Sequence, residues 1–122
     1  MPYAQTEVLV VEDEVLIRMN TCDELLDLGF QVHEARDAQE ALVQLGLHPG
    51  IRVLFTDIDM PGGSDGLQLA RMVRDRWPSI GIIITSGRLR HGNAHLPAVA
   101  RFIPKPYDPA RVAVAAEELM RA

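Results

Sequence analysis

The sequence predicts an α/β fold, (βα) repeated five times around a parallel five-stranded sheet, and three observations carry that expectation. Val8-Leu9-Val10-Val11, Val53-Leu54-Phe55 and Ile82-Ile83-Ile84 are short, β-branched-rich apolar runs that suit strands covered on both faces. Segments with helical periodicity lie between these runs, each able to lay one face on a sheet. The length of 122 residues is enough for one hydrophobic core and too short for two ordinary domains, so one domain over residues 1–122 is expected.

In chain order, Val8 to Val11 form the first strand, and Val15, Met19, Cys22 and Leu26 mark the apolar stripe of the first helix. Gln31 to Ala35 is more polar and mixed, as suits a strand at a sheet rim. Asp37 with Glu40 three residues on resembles a capping box, opening a second helix that buries Ala38, Ala41, Leu42 and Leu45. The third strand ends at Asp57, and the helix after it carries Leu69, Ala70, Val73 and Trp77 on one side. After the fourth strand, the stretch from Gly87 to Ala100 holds Gly92, Asn93 and Pro97, with little but Leu96 and Val99 to pack. A fourth helix there is expected to be short or distorted. Arg101 to Pro104 reads as the other rim strand, and Asp108-Pro109 sets a cap before a first-turn proline. The last helix buries Val112, Ala115, Ala116 and Leu119. Strands alternating with helices imply right-handed crossovers and helices on both faces, with ligands bound beyond the carboxyl ends of the strands.

Composition narrows the function classes. The apolar share of 48% and charged share of 24% are those of a folded, soluble chain rather than a disordered one. A net charge of −5 opposes a nucleic-acid partner, because phosphate binding needs a basic field. No apolar run approaches the ~20 residues of a bilayer span, and Met1 to Thr6 lacks the features of an export signal, so no membrane association and a cytoplasmic location are expected. The single cysteine, Cys22, excludes an internal disulfide and reads as an inert core thiol. His33, His48, His91 and His95 are scattered without metal-ligand spacing and are assigned no function.

Chemistry-bearing residues gather at the strand ends: Glu12 and Asp13 after the first, Asp57 at the third, Thr85 and Ser86 at the fourth, Lys105 at the fifth. Three carboxylates on one rim repel one another unless a cation compensates, and Mg²⁺, a hard octahedral ion, suits such donors. Asp57 is placed to act as a nucleophile toward a phosphoryl group. Thr85 can donate a hydroxyl hydrogen bond to the transferred group and Lys105 can pair with one of its oxygens. Lys105 is the only lysine among 12 basic residues, which suggests a demand for an ammonium at that strand end.

These motifs together resemble the receiver domain of two-component response regulators over essentially the whole chain. They are the pair Glu12-Asp13, Asp57 within Thr56-Asp57-Ile58-Asp59-Met60-Pro61-Gly62, Thr85 in Ile84-Thr85-Ser86-Gly87, and Lys105-Pro106. The resemblance implies a flavodoxin-like three-layer sandwich with strand order 2-1-3-4-5. It implies Asp57 as phospho-acceptor, and a Mg²⁺ site, which Mn²⁺ can also fill, formed by Asp13 and Asp57, Glu12 directly or through water, and the backbone carbonyl of Asp59. The implied donor is a phosphohistidine on a histidine kinase or phosphotransfer protein. Phe102 matches the family's aromatic switch, coupled to Thr85. A separate effector protein or a second copy of the chain would receive the signal, and the chain would be a self-phosphorylating and self-dephosphorylating switch rather than a turnover enzyme. Two departures stand out: the loop Pro61 to Gly66 is one residue longer than the common pattern, and the segment around Pro97 is poorly suited to a helix. The Asp59 carboxylate is expected to point to water rather than into the phosphoryl pocket.

Other readings fit the same residues less well. Asp57-Ile58-Asp59 has the D-x-D spacing of aspartyl-phosphate phosphatases, but those carry it after the first strand of a larger chain. A flavin-binding module needs a glycine- or hydroxyl-rich loop where Glu12-Asp13 stands, and acid repels phosphate. A pseudo-receiver acting by protein contacts alone would not need the intact acceptor set.

Overall fold

The computed structural model describes residues 6–59, 66–87 and 100–121. The order of elements is β1 (Glu7–Val11), α1 (Val15–Asp27), β2 (Gln31–Ala35), α2 (Ala38–Leu47), β3 (Ile51–Asp57), α3 (Gly66–Arg76), β4 (Gly81–Ser86), β5 (Arg101–Pro104) and α4 (Pro109–Arg121). The five strands form one parallel sheet in the order β2-β1-β3-β4-β5. The expected helix at 88–99 and the lengthened loop at 61–65 lie outside the described residues.

Strand alternation divides the core into two layers. Leu9, Val11, Leu54, Ile82 and Ile84 face α2 and α3, meeting Ala41, Leu45, Leu69 and Val73. Val8, Val10, Val53, Phe55 and Ile83 face α1 and α4, meeting Cys22, Leu25, Val112 and Ala116. The mixed strands Gln31–Ala35 and Arg101–Pro104 sit at the two rims, as their polarity requires.

Local signals explain two of the four described helix starts. Asp37 Oδ1 accepts the Glu40 backbone N–H at 2.8 Å, and Glu40 Oε1 reaches back to the Arg36 N–H at 2.9 Å. Asp108 Oδ1 accepts the Ala110 N–H at 3.0 Å, ahead of a helix whose first residue is Pro109.

The first helix corrects the expected stripe. Its buried residues are Thr21, Cys22 and Leu25, while Val15, Met19 and Leu26 are each about half exposed. The helix is rotated so that Leu25 joins the core and Thr21 is buried, in place of Leu26 and Met19, and Val15 and Leu16 of its first turn are left on the surface.

Candidate functional site

Strand order reverses between β1 and β3, and the chain leaves these neighbours toward opposite faces of the sheet, opening a crevice at their carboxyl ends. Glu12 and Asp13 follow β1, and Asp57 is the last residue of β3. One carboxylate oxygen from each of Glu12, Asp13 and Asp57 lies within 4.8 Å of the others. Glu12 and Asp57 are each 2% exposed, so their charges are largely removed from water.

Lys105, just past β5, crosses the crevice. Its Nζ is 2.8 Å from Glu12 Oε1 and 2.9 Å from Asp57 Oδ2, where it donates a hydrogen bond. The contact to Glu12 Oε1 is a close ion pair without hydrogen-bond alignment. One ammonium therefore serves two buried carboxylates. Burial, reinforced by the Asp57 charge, pushes the Glu12 carboxyl up to about 7 against the opposing pull of Lys105. Burial alone would depress the Lys105 ammonium, but Glu12 and Asp57 override it and hold it above the usual lysine range.

Thr85 is the register partner of Asp57 on the neighbouring strand. Its Oγ1 is buried and has no hydrogen-bond partner among the described residues. A buried hydroxyl left without a partner costs about 1–3 kcal/mol, so this one is available to a group entering the crevice. Asp59 corrects the expectation that its carboxylate meets water: Oδ2 accepts from Ser86 Oγ at 2.6 Å and from the Gly87 N–H at 3.1 Å. Its own N–H donates to Asp57 Oδ1 at 2.9 Å, which orients the Asp57 carboxylate. The Asp59 carboxylate is not part of the acidic cluster, leaving its backbone carbonyl as the only atom for the expected ligand role. Phe102, the register partner of Ile84, is partly buried against the α2–α3 side of the core.

Several contributors were not expected. Arg18 donates to the Glu12 carbonyl at 2.8 Å and pairs with Glu34 at 2.8 Å, pinning the acidic pair to α1 and β2. Glu12 Oε2 accepts the Glu14 N–H at 3.1 Å, which holds its carboxylate beside the start of α1 while Oε1 meets Lys105. Gly66 lies against Asp57: a Cβ there would stand 2.0 Å from the Asp57 carbonyl oxygen. A glycine opening a helix after a loop is the only sequence trace of that approach. Away from the site, His33 hydrogen-bonds Glu7 at 2.9 Å and stacks on His48; His91 and His95 lie outside the described residues.

The donor set fits a divalent hard cation. Three carboxylates cluster here and the one ammonium among them pairs with only Glu12 and Asp57, and this excess of negative charge favours an oxygen-liganded ion.

One rim of a parallel α/β sheet thus gathers an acidic crevice, a strand-end hydroxyl and a crossing lysine. Residues 8–117 match the response regulator receiver domain family, and the chain belongs to that family. It is 36% identical over 117 residues to the sensor kinase CckA of Brucella abortus, covering 93% of this chain and 12% of that protein. It is 31% identical over 121 residues to the nitrogen assimilation regulatory protein NtrX of Azorhizobium caulinodans, covering 93% and 26% respectively. The chain thus spans about a quarter or less of the length of these relatives. Among solved structures, a response regulator receiver domain protein from Clostridium thermocellum superposes with a TM-score of 0.86 at 26% identity, covering 95% of this chain and 94% of that one. The chain is therefore a receiver domain of two-component systems.

Proposed function

We propose that the chain is a phosphorylatable switch in which Asp57 accepts a phosphoryl group from a phosphohistidine of a histidine kinase or phosphotransfer protein. The observation that carries this reading is the Lys105 ammonium 2.9 Å from Asp57 Oδ2, beside a buried Thr85 hydroxyl that has no partner among the described residues. In the reaction, an Asp57 carboxylate oxygen attacks phosphorus, the P–N bond of the donor breaks, and the imidazole leaves with the electron pair and takes up a proton. Lys105 then pairs with a phosphoryl oxygen, and Thr85 donates its hydroxyl to another. The Asp59 N–H holds the attacking carboxylate in a fixed orientation.

Mg²⁺, or Mn²⁺ in its place, would be held by Asp13, Asp57 and Glu12 with the Asp59 carbonyl, and would supply charge neutralisation for the incoming phosphoryl group. Movement of Thr85 toward that group, coupled to Phe102, would pass the change to the β4–β5 rim, a packing switch biased by local charge. The chain is a switch and not a turnover enzyme. It acts in the cytoplasm, and its output is a surface contact with a separate effector or a second copy.

The test is intact-mass analysis after incubation with Mg²⁺ and acetyl phosphate or phosphoramidate. One added phosphoryl group is expected on wild type and none on Asp57→Ala. No adduct on wild type, together with no binding of beryllofluoride, would favour signalling by protein contacts alone.

A further inference from the structure

The two halves of the crevice belong to different elements. The acidic pair sits on the turn between β1 and α1, where Arg18 of α1 holds the Glu12 carbonyl, while Lys105 sits on the segment joining β5 to α4. Asp57 lies between them. The reach of the ammonium to both carboxylates therefore depends on how firmly that segment is held against α1.

One end of the segment is fixed by the backbone: the Lys105 N–H donates to the Ser86 carbonyl at 3.1 Å. Its other end is fixed by Tyr107, two residues on. The Tyr107 Oη and Thr21 Oγ1 are 2.7 Å apart and share a hydrogen bond, across a separation of 86 residues. Thr21 is 1% exposed and sits on the buried face of α1. The Tyr107 ring meets Phe55 edge-on, with centroids 5.2 Å apart, and Phe55 precedes Asp57 by two positions on β3. The Tyr107 hydroxyl thus touches α1, whose Arg18 holds the Glu12 carbonyl, and its ring touches β3, which ends at Asp57. Above this bond a groove of about 420 Å³ opens, lined by Leu16, Ile17, Asn20, Lys105 and Pro106. Among the described residues, this bond is the side-chain hydrogen bond that joins the Lys105 segment to α1.

We infer that Tyr107 and Thr21 form a positioning pair whose shared hydrogen bond sets the placement of the Lys105 ammonium between Glu12 and Asp57. The inference rests on the phospho-acceptor reading above. Neither hydroxyl touches the reacting atoms. Their effect is on the fraction of time the ammonium stands where the phosphoryl oxygen arrives, so the pair governs the rate of transfer at saturating donor rather than the donor concentration needed.

The test measures labelling of the full chain by acetyl phosphate with Mg²⁺, read as intact mass against time and donor concentration, beside a thermal melt of each variant. Tyr107→Phe and Thr21→Val are each expected to lower the maximal labelling rate about tenfold, the scale on which loss of a supporting hydrogen bond acts at other sites. Half-maximal donor concentration is expected to stay within twofold of wild type, an allowance for the ordinary scatter of measured single-contact effects. The double variant should be no slower than either single one, since both remove one bond. Thr21→Ser, which keeps the hydroxyl, should restore the rate. Unchanged rates in Tyr107→Phe, additive losses in the double variant, or a loss that Thr21→Ser fails to recover would each overturn the pair. If wild type itself takes no phosphoryl group, the acceptor reading falls and this inference with it; if wild type is labelled and Tyr107→Phe matches it, only the inference falls.

Discussion

Gly66→Ala tests how tightly the third strand and the helix after it are packed around the acceptor. A Cβ at this position would lie 2.0 Å from the Asp57 carbonyl oxygen and 2.8 Å from both the Asp57 carbonyl carbon and Thr56 Oγ1. Two of these three atoms are backbone, and the Thr56 hydroxyl already donates to the same carbonyl at 3.0 Å, so none can swing aside as a flexible side chain would. Reaching van der Waals contact requires a displacement of more than 1 Å between α3 and the end of β3. Alanine gains up to about 1 kcal/mol over glycine inside a helix, less at its first residue. Overpacking in a buried site costs about 1–3 kcal/mol and sometimes more, so the clash wins. For a domain of this size a loss of about 1–3 kcal/mol lowers Tm by roughly 4–12 °C. Because the strained atom belongs to Asp57 itself, labelling by acetyl phosphate should fall at least about tenfold, as expected when a reacting group is misplaced by an ångström. Differential scanning calorimetry and intact mass read the two effects. A variant with wild-type Tm and wild-type labelling would refute the close approach.

Three further outcomes follow from the site and the core. Lys105→Met leaves Glu12 and Asp57 buried without their shared cation, a loss of about 3–5 kcal/mol in metal-free buffer by urea unfolding; a midpoint equal to wild type would contradict the bridging role. Glu12 has its folded-state value raised from 4.5 to about 7, so the folded chain holds a proton that the unfolded chain releases. This group's contribution to stability therefore falls as pH rises from about 4.5 to 7. In metal-free buffer Glu12→Gln should gain stability relative to wild type across that window, and parallel pH profiles would contradict it. Cys22 is 5% exposed and its thiol is pushed up to about 12 by burial, with Glu34 adding to the effect. It should resist a thiol-specific reagent at pH 8 until denaturant unfolds the chain, and rapid labelling of the native protein would argue against its burial.

Much of this molecule was legible because its signals are local. The apolar runs at Val8–Val11 and Ile82–Ile84 became central strands, and the polar strands Gln31–Ala35 and Arg101–Pro104 went to the rims. Asp37 and Asp108 cap helices as their spacing predicts. The convergence of Glu12, Asp13, Asp57 and Lys105 follows from strand ends meeting on one rim of a parallel sheet. What escaped depends on contacts between distant elements. Apolar periodicity alone could not phase α1, because Leu25 and Leu26 compete for the same face and Thr21 wins a buried place by bonding Tyr107. The Asp59 carboxylate was expected at water because nothing in the sequence shows that Ser86 and the Gly87 N–H stand beside it. The approach of Gly66 to the Asp57 carbonyl is likewise a matter of how α3 leans on β3.

The central claim is that Asp57 itself carries the phosphoryl group, and borohydride trapping tests it most directly. An acyl phosphate is reduced to the alcohol while free carboxylates are not, so a phosphorylated aspartate becomes homoserine. After incubation with acetyl phosphate and Mg²⁺, reduction and peptide mapping by mass spectrometry, homoserine is expected at position 57, with Asp59, held by Ser86 and Gly87, unchanged. Homoserine at 59 or 13, or none anywhere in a sample that gained a phosphoryl group, would contradict the account.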